Sequence, residues 1–418
     1  MGNHSIKAVP QLRFPDFQND GEWEVKRLGE IAEFFKGKGI PKTEASDKGK
    51  TPCVRYGELY THYKEIIDET QSFTDIPTEE LFLSKANDVI IPSSGETKED
   101  ISTASCVIKD NIALGGDINV IRTPHNGVFL SYYLNNTKKD EIAKIAQGVS
   151  IIHLYNDQLK NLKIALPSIE EQKKIVDCLT ALDELIAATN GKLEQLKAYK
   201  KSLMQKLFPA KGKKLPELRF KEFEKDGEWE EKKLGEVTKV INRRNKSNRN
   251  LPIYSISNKD GFILQSEQFD GLDSVSRGYD ISLYKIVTSH TFAYNPARIN
   301  VGSIGYSGSI KECLISSLYV CFKTTEETDD SFLMYFFDTL SFNQSVENNV
   351  EGGIRAYLFY ENFSKIKILF PSILEQKRIA SCLKAVDEEI NAVSDRASEL
   401  EKQKKGLMQK LFPITKNN

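Results

Sequence analysis

Asp16, Glu24 and Lys26 lie in the stretch PDFQNDGEWEVK, where an acid followed by an acid-x-lysine could hold a divalent cation for phosphodiester cleavage. The same stretch recurs later with Lys221 and Glu222 in place of Pro15 and Asp16, so the metal-nuclease pattern reads as chance. Residues 295–298, NPAR, approach the N-P-P-aromatic motif of amino-methyltransferases but lack the second proline and the aromatic ring. They read as a turn. No G-x-x-x-x-G-K-[ST] loop occurs, and no G-x-G-x-x-G follows a strand pattern. Cys53, Cys106, Cys178, Cys313, Cys321 and Cys382 form no C-x-x-C pair, and the five histidines stand singly. Neither a zinc site nor a disulfide framework is expected. The reading is of a chain with no catalytic residue and no metal.

The remaining chemistry is that of basic loops. INRRNKSNRN carries Arg243, Arg244, Lys246 and Arg249 with four asparagines and no acid. Arginine and lysine suit phosphates and guanine edges, and asparagine suits adenine edges. Upstream, KGKGIPK offers Lys36, Lys38 and Lys42 in a loop-like context, followed by Arg55, Lys98 and Arg122. Arg298 closes the NPAR turn, and Arg355 sits in the glycine-rich EGGIRAY, at the offset of QGVSIIH around Gly148. These twelve cations are the candidate DNA contacts. The whole chain has a formal net charge of −1. A protein holding DNA by itself is usually markedly basic, so basic charge must be local or partners must share the phosphates.

What positions those loops is a repeat. LRFPDFQNDGEWEVKRLGE near the start returns as LRFKEFEKDGEWEEKKLGE, and Trp23 and Trp229 are the chain's two tryptophans, 206 residues apart. Further on, NLKIALPSIEEQKKIVDCL returns as KIKILFPSILEQKRIASCL, with Pro167 and Pro371 separated by 204. The period is too long for a solenoid and reads as duplication of a whole domain plus helix.

Ser168 with Glu171, and Ser372 with Glu375, predict capping boxes directly after proline. Apolar residues then alternate at spacings of four and three: Ile175, Leu179, Leu182, Ile186, Leu193 and Leu196 in the first copy. The second has Ile379, Leu383, Val386, Ile390, Val393, Ala397 and Leu400. This is a heptad seam. Each helix must stop at Phe208-Pro209 or Phe412-Pro413, giving a span of roughly 58 Å at 1.5 Å per residue. Two matching seams most simply bury each other as an antiparallel pair. Between them, short β-branched and aromatic runs such as NDVIIPSSGETKED, NLPIYSISNKDGFILQ and CLISSLYVCFKT are separated by Gly, Asn, Ser and Asp. Strands with turns, in mixed α+β domains, are predicted.

Two dissimilar segments, each preceded by GEWE-x-x-x-LGE and followed by PS-x-x-EQK-x-I…LMQKLFP, resemble the specificity subunit of a type I restriction-modification system, over essentially the whole chain. The resemblance implies an α+β architecture: two target recognition domains joined by two long conserved helices in an antiparallel coiled coil with an internal pseudo-two-fold repeat. It implies boundaries at residues 1–24 (conserved segment), 25–167 (first recognition domain), 168–209 (spacer helix) and 210–230 (repeated linker). Residues 231–371 would form the second recognition domain, 372–413 the second spacer helix, and 414–418 a tail. Each domain would read one half of a bipartite site in double-stranded DNA. The helices would dock two methyltransferase subunits, joined by restriction and translocation subunits. The chain would bind no cofactor itself; S-adenosylmethionine, ATP and magnesium would belong to those partners.

No run of about 20 apolar residues suggests a membrane span, and the first residues lack an apolar signal core, so a cytoplasmic location is expected. The competing reading is a coiled-coil scaffold whose variable segments bind proteins.

Overall fold

The computed structural model describes residues 8–148, 151–350 and 357–413. They fall into two compact units, residues 1–190 with 395–418 and residues 191–394. The division cuts both long helices, Ile169–Leu207 and Ile373–Leu411, each 39 residues long. In the first unit Ile175 and Leu179, from the start of one helix, share a core with Leu411 and Phe412 from the end of the other. In the second, Ile379 and Leu383 share a core with Leu203, Leu207 and Phe208. Within each unit the helices therefore run antiparallel. Along the predicted seam Ile175, Leu179, Ile186, Ile379, Leu383, Ala397 and Leu400 are buried, whereas Leu182, Leu193, Leu196, Val386, Ile390 and Val393 are half-buried. Two helices alone cannot enclose a seam, so burial is deepest where a domain packs alongside.

The helix starts are only half the predicted capping boxes. Ser168 Oγ accepts the Glu171 N–H at 3.2 Å and Ser372 Oγ accepts the Glu375 N–H at 3.3 Å. The glutamates do not return the bond: Glu171 binds Arg13 and Glu375 binds Arg219. A carboxylate facing a buried guanidinium gains more there than from one backbone N–H.

The first unit is built on a five-stranded sheet in the order Glu33–Lys36, Ile118–Arg122, Asp88–Pro92, Ser105–Val107, Ile66–Ile67. Its middle strand reads DVIIP, and all five residues are buried. Period-two alternation sends Val89 and Ile91 into the core that contains Trp23, Phe129 and Tyr133. Ile90 points into a second core with Val107, Ile118 and Val120. A run of apolar residues without polar gaps is what a strand covered on both faces requires. The second unit has two four-stranded sheets. There Phe292, Tyr294 and Phe322 join the helix-side core while Ala293 and Cys321 join the other.

The strand expectations hold for Asp88–Pro92, Ile118–Arg122, Ile253–Ser257, Gly261–Leu264 and Val320–Thr324. The stretch RYGELYTHY forms the helix Tyr56–Thr61, because Glu58 accepts the Arg55 N–H at 3.1 Å and starts the turn.

Candidate nucleic-acid interface

The repeated motifs build one joint twice. In the first unit Arg13 Nε and Nη2 donate to the two carboxylate oxygens of Glu171 at 2.8 and 2.7 Å, and both side chains are almost wholly buried. In the second, Arg219 donates to Glu375 at 2.9 and 2.8 Å. The bonds to the carboxylate hold each guanidinium above its ordinary pKa despite lost hydration. Gln172 Nε2 donates to the Pro167 carbonyl at 3.0 Å while its Oε1 accepts the Asn126 N–H at 3.0 Å. Gln376 repeats this with the Pro371 carbonyl at 2.9 Å and the Asp329 N–H at 2.9 Å. Asn126 caps the helix Gly127–Tyr133 and Asp329 caps the helix Asp330–Phe337, so each domain is fastened to the start of a long helix through one glutamine. One asymmetry remains. Trp229 Nε1 donates to Glu375 at 3.2 Å, whereas the buried Trp23 Nε1 has no partner among the described residues.

The glycine of each LGE has a steric cause. A Cβ on Gly29 would lie 2.9 Å from Lys160 Cβ, and one on Gly235 would lie 2.9 Å from Ser364 Cβ. The backbone there must approach closely so that the Leu28 N–H reaches the Leu162 carbonyl at 2.9 Å and the Leu234 N–H reaches Ile366 at 2.8 Å.

On this frame sit the candidate contact residues. Lys36, Lys38, Lys42 and Lys98 are exposed, and Lys36 Nζ lies 5.8 Å from the Tyr155 ring centre. Lys42 and Arg55 line one groove of about 880 Å³, walled also by Tyr56, His62, Gly115 and Gly116. Gly37 of KGKG serves packing, since a Cβ on it would lie 2.0 Å from the Gly115 carbonyl oxygen, whereas one on Gly39 would meet nothing within 4 Å. Arg122 is committed internally, donating to both oxygens of the buried Asp88 at 2.8 and 2.7 Å while stacking on Phe35.

In the second unit Arg243 and Arg249 converge on Glu312, at 3.4 Å and at 3.2 and 2.5 Å. Arg249 holds the Glu312 carboxyl below the usual carboxylate range. Arg244 and Lys246 are exposed beside them, and Asn245 is buried, donating to the Arg249 carbonyl at 3.0 Å. Arg298 is exposed after the NPAR turn, which Asn295 closes by accepting the Ala297 N–H at 3.0 Å. Arg355 lies outside the described residues.

Sequence reasoning missed two ring pairs, each with one exposed and one half-buried member. His153 and Tyr155 stack at 6.2 Å and 22°, and Tyr357 and Phe359 stack at 5.7 Å and 5°. Members of the pairs stand 204 residues apart, the period of the helices. Tyr155 is 47% exposed and Phe359 53%, while Leu154 and Leu358 between the rings are fully buried. The shared offset was the available signal; the flanking sequences hide it. No three His, Cys, Asp or Glu side chains converge as a metal site among the described residues, and all six cysteines are free. No described helix is long and apolar enough to cross a membrane.

The chain matches the family described as type I restriction modification DNA specificity domain twice, over residues 20–198 and 226–402. It is 26% identical over 433 residues to the type I restriction enzyme MjaVIII specificity subunit of Methanocaldococcus jannaschii, covering 98% of this chain and 95% of that one. Its fold resembles the crystal structure of the type I restriction-modification S subunit from M. genitalium, with TM-score 0.61, 16% identity, and coverage of 97% and 99%. A chain solved to show complex assembly and conformational transition of the type I R-M system gives TM-score 0.52 at 17% identity, covering 94% of this chain and 97% of that one. Two family domains, each ending in a long helix and fastened by the same Arg–Glu and glutamine contacts, leave one assignment: this chain belongs to the type I restriction-modification DNA specificity family.

Proposed function

We propose that the chain is the DNA-reading subunit of a type I restriction-modification complex, with each β-rich domain reading one half of a bipartite duplex site. The observation that carries this is one joint built twice from identical side chains, supporting two domains whose loops differ. Equivalent joints serve equivalent partners, and dissimilar loops serve dissimilar base sequences. In this reading two methyltransferase subunits dock on the repeated helices and carry S-adenosylmethionine, and restriction subunits carry ATP and magnesium, all in the cytoplasm. Adenine methylation would require the partner to flip its target base from the stack. The exposed cations Lys36, Lys38, Lys42, Lys98, Arg244, Lys246 and Arg298 would meet phosphates or base edges. A net charge of −1 supports sharing of the phosphates with those partners. The scaffold alternative is not favoured by a match to a DNA specificity family.

Co-expression with the cognate methyltransferase subunit, followed by methylome sequencing, tests the proposal. A new bipartite adenine motif is expected. Absence of any such motif from a host making both chains would overturn it.

A further inference from the structure

Arg55 differs from the other arginines paired with a buried carboxylate. Arg13, Arg122 and Arg219 each give two guanidinium nitrogens to their acid. Arg55 gives only Nε, to Glu58 Oε1 at 3.2 Å, so its two terminal nitrogens have no hydrogen-bond partner among the described residues.

Glu58 is built to hold that pose. The Glu58 side chain is 8% exposed; one carboxylate oxygen accepts the Ser72 hydroxyl at 2.6 Å and the other accepts the Arg55 N–H at 3.1 Å. The same acid thus starts the Tyr56–Thr61 helix and pins the arginine that precedes it. The Arg55 side chain stays 29% exposed on the wall of the groove. A Cβ on Gly115 would lie 3.4 Å from Arg55 Cα and 3.7 Å from its Cγ, so the glycine lets the opposing backbone press against the arginine stem.

We infer that Arg55 is a specificity-determining residue that reads the O6 and N7 acceptors of one guanine in the half-site of the first domain, with Glu58 as its positioning residue. The inference rests on the DNA-reading function proposed above. A guanidinium held through Nε presents two parallel donors at fixed angle, which match the paired acceptors of a guanine edge. A phosphate would fit the same fork, but charge argues against it. The groove lining carries the carboxylates Asp47, Glu58 and Asp117 against the cations Lys42 and Arg55. Phosphate affinity comes from net positive charge and counterion release, and Glu58 cancels the charge of Arg55. A neutral base edge loses nothing by that cancellation.

The test uses the chain assembled with its methyltransferase and a set of duplexes in which each guanine of the half-site is replaced in turn by 7-deazaguanine. Wild type should lose tenfold or more in methylation rate at one guanine and little at the others. Arg55→Lys, which keeps the charge and loses the fork, should lose a similar factor on the natural duplex and show no further loss with 7-deazaguanine at that position. Glu58→Gln should relax the same base position while leaving the other half-site unchanged, a readout that a general loss of stability would not produce. A uniform fall on every duplex, with a shallower salt dependence, would mark Arg55 as a phosphate contact and overturn the inference. Equal discrimination by wild type and Arg55→Lys would overturn it too. Should the wild-type assembly methylate no bipartite site, the function itself fails, and that result is read before any variant is made.

Discussion

Lys404 Nζ lies 2.6 Å from Asp183 Oδ1 in the first unit. The lysine comes from the last turns of one long helix and the aspartate from the first half of the other. Tyr132 donates its hydroxyl to the same aspartate, and the lysine sits 5.2 Å from that tyrosine ring. In the second unit Lys200 lies 2.6 Å from Asp387, Tyr335 donates to Asp387 at 2.8 Å, and the lysine is 5.4 Å from the ring. Lysine and aspartate of one unit stand 204 residues from those of the other. Burial and the acceptor beside it raise both tyrosine hydroxyls well above their usual pKa, so each stays a donor at any working pH. Each helix pair is thereby locked to its own domain through one aspartate.

A double-mutant cycle on Lys404→Met and Asp183→Asn should therefore show a coupling of about 1–2 kcal/mol. The equivalent cycle on Lys200 and Asp387 should give a similar figure. Urea unfolding measures both, and additive single effects would contradict the triad.

Arg13 and Glu171 form a pair in which both groups are almost dry. Removing one partner strands the other, so Glu171→Gln or Arg13→Met should cost about 3–5 kcal/mol. Arg219 and Glu375, equally buried, should behave alike. Loss of melting temperature in both variants, and no comparable loss in the exposed control Lys174→Met, is the expected outcome.

Gly29→Ala and Gly235→Ala would each force a Cβ to 2.9 Å from a neighbouring Cβ. A cost of about 1–3 kcal/mol follows from such overpacking. Gly39→Ala, with nothing within 4 Å, should be close to neutral. Equal melting temperatures for all three would refute the steric account of LGE.

Thiol chemistry reports burial directly. Burial pushes Cys53 up to about 11 and Cys106, Cys313 and Cys321 up to about 12. The thiolate is the reactive species, so these four should resist a disulfide reagent at pH 8 until urea unfolds the chain. Cys178 and Cys382, half-buried on the long helices, should be the first to react.

The frame was legible in the sequence because it is local and repeated. The helix limits follow from Ser168, Ser372, Pro209 and Pro413, and the fully covered strand from the unbroken DVIIP. The partners of those residues were not legible. Glu171 looked like half a capping box, yet its carboxylate meets Arg13, 158 residues away in sequence. The loop cations looked alike, but folding separates them by what lies opposite. Arg122 faces Asp88 and Arg249 faces Glu312, each from a distant strand, whereas Lys42 and Arg55 reach an open groove. Local pattern marks where a cation sits; only tertiary contact shows whether it is already used.

Two independent readers standing on one repeated frame should be separately exchangeable. Replacing residues 231–371 with the corresponding segment of another family member, and mapping methylation in a host supplying the methyltransferase subunit, tests this most directly. One half of the recognised sequence should change while the other half and the modification itself persist. Change in both halves together, or a motif unaltered by the exchange, would contradict it.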